Sequence, residues 1–413
     1  MDIILANREI NPIQTFDQTV AAKEMSGYCV AMLNRQLLYT AEYSRFYRAH
    51  LANVVLPLGN EHDLQHLPFT TPQDLREHGA DMVCGGGGNV KRIVTLHSTG
   101  TDGLPKRLYF SEGDLRRTVD FFAVGMRYLC SPGDRIFLCM PTASENGIGQ
   151  LLAEGLAAMG AIPYPYGVVS DYHDAASTLR EAGAHTVVGI PAQIRKLALL
   201  APDICPANVL LSADYVSQSA KETIARTWGC EVFTHFGMTE TGYGCAVECP
   251  AHMGQHIRHD ELLLEIIAPD GADAVPEGQW GEIVVTTLRR ESMPLIRYRT
   301  GDMGRLLRGT CGCGSRLERL DHVLGRIAEL SQHINIYRMD ELLLARDEIL
   351  DYHALLDGNT LSIMVEFAGS VHSASFGLYR KILAEEWPDL QITIAASAPG
   401  AFPPAAKRGV LRI

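Results

Sequence analysis

His97-Ser98-Thr99-Gly100-Thr101-Asp102-Gly103-Leu104-Pro105-Lys106 separates two apolar runs, Ile93, Val94 and Leu96 before it and Leu108, Tyr109 and Phe110 after it. Glycine lets the backbone turn tightly and bring N–H groups close to an anion. Ser and Thr hydroxyls donate to phosphate oxygens, and a lysine adds a point charge. The segment reads as a strand–loop–strand phosphate cradle, with a plain polar hairpin as the alternative on these residues alone. A Walker A loop is excluded. That motif needs a Gly, four intervening residues and then Gly-Lys-Ser/Thr, and opens a helix, whereas Gly100 and Gly103 lie too close and Arg107 follows Lys106.

On either side of this loop the texture differs. Residues 1–80 read as mainly helical, with a short helix opening at Thr71-Pro72, and the four glycines after Cys84 read as a connector. Downstream, Ser111 and Asp114 form a helix start, followed by Leu115, Val119, Phe122, Met126 and Leu129 on one helical face. Arg135 to Met140 is a short apolar strand, and further strands fall near 161–166, 185–190, 207–212 and 230–235 with helices between them. That alternation implies βαβ units and a mostly parallel sheet. After Cys245 the pattern becomes β-rich, with strands at Leu262 to Ile267 and Glu282 to Thr287. A final segment reads as helix (340–350), strand (360–367), helix (372–387) and strand (390–396).

The whole has 413 residues, enough for two or more domains. With 46% hydrophobic and 20% charged residues it has an ordinary globular composition. A net charge of −12 argues against non-specific nucleic-acid binding. No run has membrane-spanning length, and charges interrupt Met1 to Pro12, so a cytoplasmic protein is expected. The ten cysteines do not form a disulfide framework. Cys249, His256, Cys311 and Cys313 stand apart from the rest, because three thiols and an imidazole in Gly- and Pro-rich sequence suit a tetrahedral structural Zn2+. His252, His259 and Cys245 compete for the same role, and two unrelated cysteine-bearing loops are the alternative.

Three further stretches carry chemistry. Phe236-Gly237-Met238-Thr239-Glu240-Thr241 follows a strand and reads as a stretch at the ligand crevice of a parallel sheet or, on these residues alone, as a plain polar strand-to-loop transition. There the Phe236 ring can stack on a base, and Glu240 can hold Mg2+ beside a phosphate. Tyr298-Arg299-Thr300-Gly301-Asp302 offers a carboxylate for a ribose, or simply a turn residue. Gly325-Arg326 stands at a domain border.

In this order and at these separations the four stretches resemble the adenylate-forming superfamily of acyl- and aryl-CoA ligases, and within it the phenylacetate-CoA ligase-like branch. The resemblance covers roughly residues 90–335. It implies an α/β fold: a large N-terminal adenylation domain, 1–324, with mostly parallel sheets and a β-rich subdomain, and a small mobile α+β domain, 325–413. It implies ATP-dependent, Mg2+-assisted activation of a small aromatic or apolar carboxylic acid as its acyl-adenylate, then transfer to CoA, in a chain that can form a homodimer. Ser98, Thr99, Gly100, Thr101, Gly103 and Lys106 would hold the pyrophosphate portion. Thr239 would touch the α-phosphate, Glu240 would ligate Mg2+, Phe236 and Gly237 would lie along adenine, Asp302 would bind the ribose and Arg326 would mark the hinge. The Cys/His set has a similar pattern in that branch.

The sequence departs from the family at several points. Asp102 replaces the second Thr of the phosphate loop, and Ala328 then Glu329 follow Gly325-Arg326 where a hinge acid is usual. Ser331-Gln332-His333-Ile334-Asn335 replaces a glycine-bearing loop, which puts CoA use in question. Lys407, within Ala406-Lys407-Arg408-Gly409, is the candidate adenylation lysine. Two alternatives stand: a non-CoA acceptor such as an amine or carrier protein, or a non-catalytic nucleotide-binding homologue.

Overall fold

The computed structural model describes residues 22–96, 104–369, 373–398, 400–402 and 408–413. The chain forms two compact units, Met1–Tyr128 with His235–Val323, and Leu129–Thr234 with Leu324–Ile413. Among the described residues no helix is long and apolar enough to cross a membrane.

The second unit carries the parallel sheet. Its strands run in the order Ile162–Pro165, Arg135–Cys139, Thr186–Gly189, Asn208–Leu211 and Glu231–Phe236, and each neighbour is parallel to the next. Parallel neighbours need crossovers, and the helices Ile148–Ala158, Pro191–Leu200 and Gln218–Trp228 lie between strands. Start and stop signals sit where sequence places them: Pro191 opens one helix, Ser217 caps the next and Gly229 ends it in the left-handed conformation. Phe137, Val187, Val209, Leu211, Ile194, Ile224 and Trp228 close the core. Glu231–Phe236 is the strand along which the chain passes from this unit into the other.

The tail of the same unit has its own core and a four-stranded sheet. The hairpin Ile349–Asp357/Thr360–Phe367 is flanked by Gln391–Ala396 and Val410–Arg412, both parallel to their neighbours. The expected helix over 340–350 is displaced. Asn335 caps a helix at Ile336–Leu343, and 349–357 is a strand with alternating burial. Its Tyr352 and Ala354 face the core with period two, a pattern hidden in sequence by the preceding Leu-rich helix.

Polar contacts join the tail to the parallel-sheet part. Arg195, fully buried, donates to the carbonyls of Ile349 (2.8 Å) and Arg346 (2.9 Å). Glu341 accepts from the N–H groups of Gln218 (2.7 Å) and Ser219 (3.0 Å), satisfying the free N-terminus of the Gln218–Trp228 helix. Lys196 pairs with Glu366 at 2.7 Å, and both are buried.

The first unit is antiparallel. Val90–Leu96 pairs antiparallel with Lys106–Ser111, the strands on either side of the glycine- and hydroxyl-rich stretch. Leu262–Ile267, Gly281–Thr287 and Tyr298–Gly304 form successive antiparallel pairs. The pairs Ala246–Glu248/Gln255–Ile257 and Gln255–Ile257/Arg319–Leu320 extend from the end of the Glu231–Phe236 strand.

Truncating one member of a buried ion pair strands the other charge. Lys196→Met should therefore cost about 3–5 kcal/mol in urea unfolding, and the double variant Lys196→Met/Glu366→Leu should recover most of that loss.

Candidate active site and a cysteine–histidine cluster

In the first unit the Lys106 Nζ lies 2.5 Å from Glu240 Oε1. The same oxygen accepts from the Tyr298 hydroxyl at 3.3 Å. Glu240 is buried and Lys106 half-buried. Glu240 sits in the one-turn helix Thr239–Thr241, directly beyond the Glu231–Phe236 strand. Thr241 fixes that turn: its Oγ1 donates to the Met238 carbonyl (3.0 Å) and accepts from the Met238 N–H (3.3 Å). Gly237 is required by crowding, since a Cβ there would stand 2.0 Å from the Tyr243 carbonyl oxygen. Thr239 and Phe236 stay half-buried beside it.

Asp302 is not a turn residue; it lies inside the strand Tyr298–Gly304. The register with its neighbour shifts there: Glu282 faces Met303, whereas Val284 faces Arg299, so the strand carries two extra residues. Gly301 takes φ +77°, which a side chain would resist. Thr300 Oγ1 donates to the Ile283 carbonyl (2.7 Å) and accepts from the Asp302 N–H (3.0 Å). Glu282 accepts from the Gly301 N–H at 2.9 Å. The bulge thus aims Asp302 by main-chain bonds, and its carboxylate is buried.

Arg326 belongs to the other unit. It is exposed, and its N–H donates to the Tyr337 hydroxyl at 2.7 Å. Ser98, Thr99, Gly100, Thr101, Gly103 and Lys407 lie outside the described residues. Tyr298, quoted in sequence only as the start of a motif, proves to be a partner of Glu240. The signal available was its position at even spacing from Thr300 and Asp302, which puts all three on the buried side of the strand.

The ligand atoms of Cys249, His256, Cys311 and Cys313 all lie within 4.8 Å of one another. Cys249 Sγ is 3.7 Å from Cys311 Sγ, and Cys313 Sγ is 3.4 Å from His256 Nε2. A disulfide needs sulfurs about 2.05 Å apart, so the thiols are not bonded. Two thiolates on one tetrahedral Zn2+ at about 2.3 Å would stand about 3.8 Å apart, which the observed spacing matches. Arg319 holds the two loops in register: its guanidinium donates to the carbonyls of Met253 (2.8 Å) and Gly309 (3.1 Å). His252, His259 and Cys245 are not in this cluster.

Residues 92–288 match the family described as AMP-binding enzyme. With the fold and the motif-bearing residues, that match makes the chain similar to adenylate-forming enzymes. Within that class it resembles the phenylacetate-CoA ligases. It is 27% identical over 364 residues to a phenylacetate-coenzyme A ligase of Thermus thermophilus, spanning 82% of this chain and 79% of the relative. It is 26% identical over 392 residues to the phenylacetate-coenzyme A ligase of Escherichia coli, spanning 89% and 87%. The crystal structure of 2-hydroxyisobutyryl-CoA ligase in the postadenylation state, in complex with R3-HIB-AMP, has the same fold. Its TM-score is 0.82 at 19% identity, over 96% of this chain and 91% of that one.

His235, which leads into Phe236, is buried against Phe121 and Phe122. Burial lowers its pKa to about 4, so the ring is neutral in the fold. An unfolded histidine titrates near 6.5. Unfolding therefore takes up a proton below that pH, and stability is full above about pH 6.5 and lost as pH falls toward 4. Over that window the group contributes about 3 kcal/mol. Urea unfolding of wild type and His235→Phe, compared at pH 7 and pH 4.5, should show the smaller loss in the variant.

Proposed function

We propose that this enzyme uses ATP to activate a small aromatic or apolar carboxylic acid and passes the acyl group to CoA. In the first half-reaction a carboxylate oxygen of the acid attacks the α-phosphorus of ATP. The bond from that phosphorus to the bridging oxygen breaks, and pyrophosphate leaves. In the second, the CoA thiolate attacks the acyl carbonyl and AMP leaves. The observation that supports this most is the meeting of Lys106 with Glu240 inside the segment that matches the AMP-binding enzyme family.

Phosphoryl chemistry of this kind rests on positioning and charge neutralisation. Lys106, with Ser98, Thr99, Gly100, Thr101 and Gly103, holds the leaving pyrophosphate. Glu240 holds Mg2+, which neutralises phosphate charge when bound. Thr239 orients the α-phosphate, Phe236 and Gly237 flank adenine, and Asp302 takes the ribose hydroxyls. Arg326 and Lys407 come from the tail, 325–413, which we take as the domain that changes pose between half-reactions. A second reading, transfer to an amine or carrier protein, is favoured by the glycine-free stretch Ser331 to Asn335.

Carboxylate-dependent exchange of labelled pyrophosphate into ATP tests the adenylation step. Exchange with an aromatic acid is expected, and its loss by at least about a hundredfold in Glu240→Gln. No exchange across a broad acid panel, with ATP binding retained, would leave a nucleotide-binding protein without this activity. Exchange without thioester formation would select the second reading.

We also propose that Cys249, His256, Cys311 and Cys313 bind a structural Zn2+, with no ligand position left open for water. Elemental analysis should find about one zinc per chain in wild type and little in Cys311→Ser. Equal, near-zero zinc in both would remove the assignment.

A further inference from the structure

Arg290 belongs to none of the motifs above, yet it lies directly beneath the turn that carries Glu240. It is buried, and its Nη2 donates to the Glu240 carbonyl at 3.3 Å. Its guanidinium stands 5.0 Å from the centre of the Phe110 ring. Gly242, at φ +72°, closes over it: a Cβ there would stand 3.0 Å from Arg290 Nη2 and 3.1 Å from Thr118 Oγ1. Thr118 donates to the Gly242 carbonyl at 2.9 Å. The Thr239–Thr241 turn thus rests on a cation and a hydroxyl.

The segment bearing Arg290 is held in turn by Asp114. That carboxylate accepts from the N–H groups of Glu291 (2.9 Å) and Ser292 (3.1 Å), the two residues after Arg290. It also accepts from the Ser111 N–H (3.0 Å) and from Arg117 (2.7 Å). Ser111 is the last residue of the strand that begins at Lys106, and its hydroxyl donates to Glu291 at 2.6 Å. Burial of Asp114 alone would raise its pKa. The Arg290 charge and the donated N–H groups outweigh burial and hold it below the ordinary carboxylate value. The contacts close a ring: from Lys106 along its strand to Ser111 and Asp114, across to 290–292, up through Arg290 to the Glu240 turn, and back to Lys106 through the ion pair.

We propose that Arg290 is a positioning residue for Glu240, anchored by Asp114, and that it sets the spacing between Lys106 and Glu240 needed for nucleotide and metal. The inference rests on the reading of those two residues as the phosphate- and metal-facing pair. A merely structural Arg290 would affect stability alone. A positioning Arg290 also affects kcat and the Mg2+ demand while leaving the acid's KM nearly unchanged.

The test compares wild type, Arg290→Met, Arg290→Gln and Arg290→Lys in the full chain, with folding checked by circular dichroism. In Arg290→Met, pyrophosphate-exchange kcat should fall about tenfold or more and the half-saturating Mg2+ concentration should rise about threefold or more. KM for the acid should stay within about twofold, and Arg290→Lys should restore most of kcat. Amide hydrogen exchange needs no ligand: the peptide spanning 236–243 should lose protection about tenfold, while 349–367 stays unchanged. Unmoved kcat and Mg2+ demand, unchanged protection at 236–243, or a uniform loss of protection throughout would overturn the inference. If Arg290→Met does not fold, Arg290→Gln is judged by the same criteria. If wild type exchanges no pyrophosphate with any acid, the proposed function fails, and the protection at 236–243 still decides whether Arg290 holds the turn.

Discussion

Glu240 and Lys106 stand 134 residues apart in sequence and 2.5 Å apart in the fold. A buried carboxylate needs a counter-ion or hydrogen-bond donors beside it. The Lys106 ammonium and the Tyr298 hydroxyl on the same oxygen meet that need. The contact requires the hairpin, the turn after the Glu231–Phe236 strand, and the Tyr298–Gly304 strand to converge at one point. On the proposed reading each member has a ligand of opposite charge waiting: phosphate for Lys106, a divalent cation for Glu240. The pair then keeps both groups aimed until those ligands replace it.

The fold was readable where local signals agreed. The parallel strands are short apolar runs separated by capped helices, so periodicity, Ser217, Pro191 and Gly229 all point the same way. The cysteine–histidine set was readable for another reason: few side chains bind metal strongly, so their placement in glycine-rich loops stands out. Ile349–Asp357 was missed because an amphipathic helix ends six residues before it and the two patterns merge. The Thr300–Asp302 bulge was missed because a bulge is a relation between two strands. Sequence shows only the glycine that permits it. Arg290 carried no signal at all, since its task is to hold a carbonyl and any local pattern around it is that of a loop.

The bulge and the Arg290 buttress solve one problem in two ways. A site that grips a charged ligand needs polar side chains in fixed directions, and regular strands direct side chains only up or down. At Asp302 the backbone itself is bent, with Glu282 and Thr300 meeting the hydrogen bonds that the ladder loses there. At Glu240 a one-turn helix replaces the strand, and its outward carbonyl is met by a buried guanidinium. Each leaves a carboxylate buried and held by backbone geometry, so on the proposed reading less ordering is left for the ligand to impose.

The tail follows a different logic. Arg195 binds two main-chain carbonyls, Glu341 binds two main-chain N–H groups, and Lys196 binds Glu366. Taking one partner away is costly because the other stays buried and charged. Separating both together is much cheaper, since each regains water. Such contacts fix one pose sharply, because a wrong register leaves a charge or a helix end unmet, without making that pose hard to leave. An apolar seam of the same area would hold the tail more tightly and specify its pose less well. On the proposed reading, in which the tail serves two successive half-reactions, specificity of pose matters more than strength of attachment.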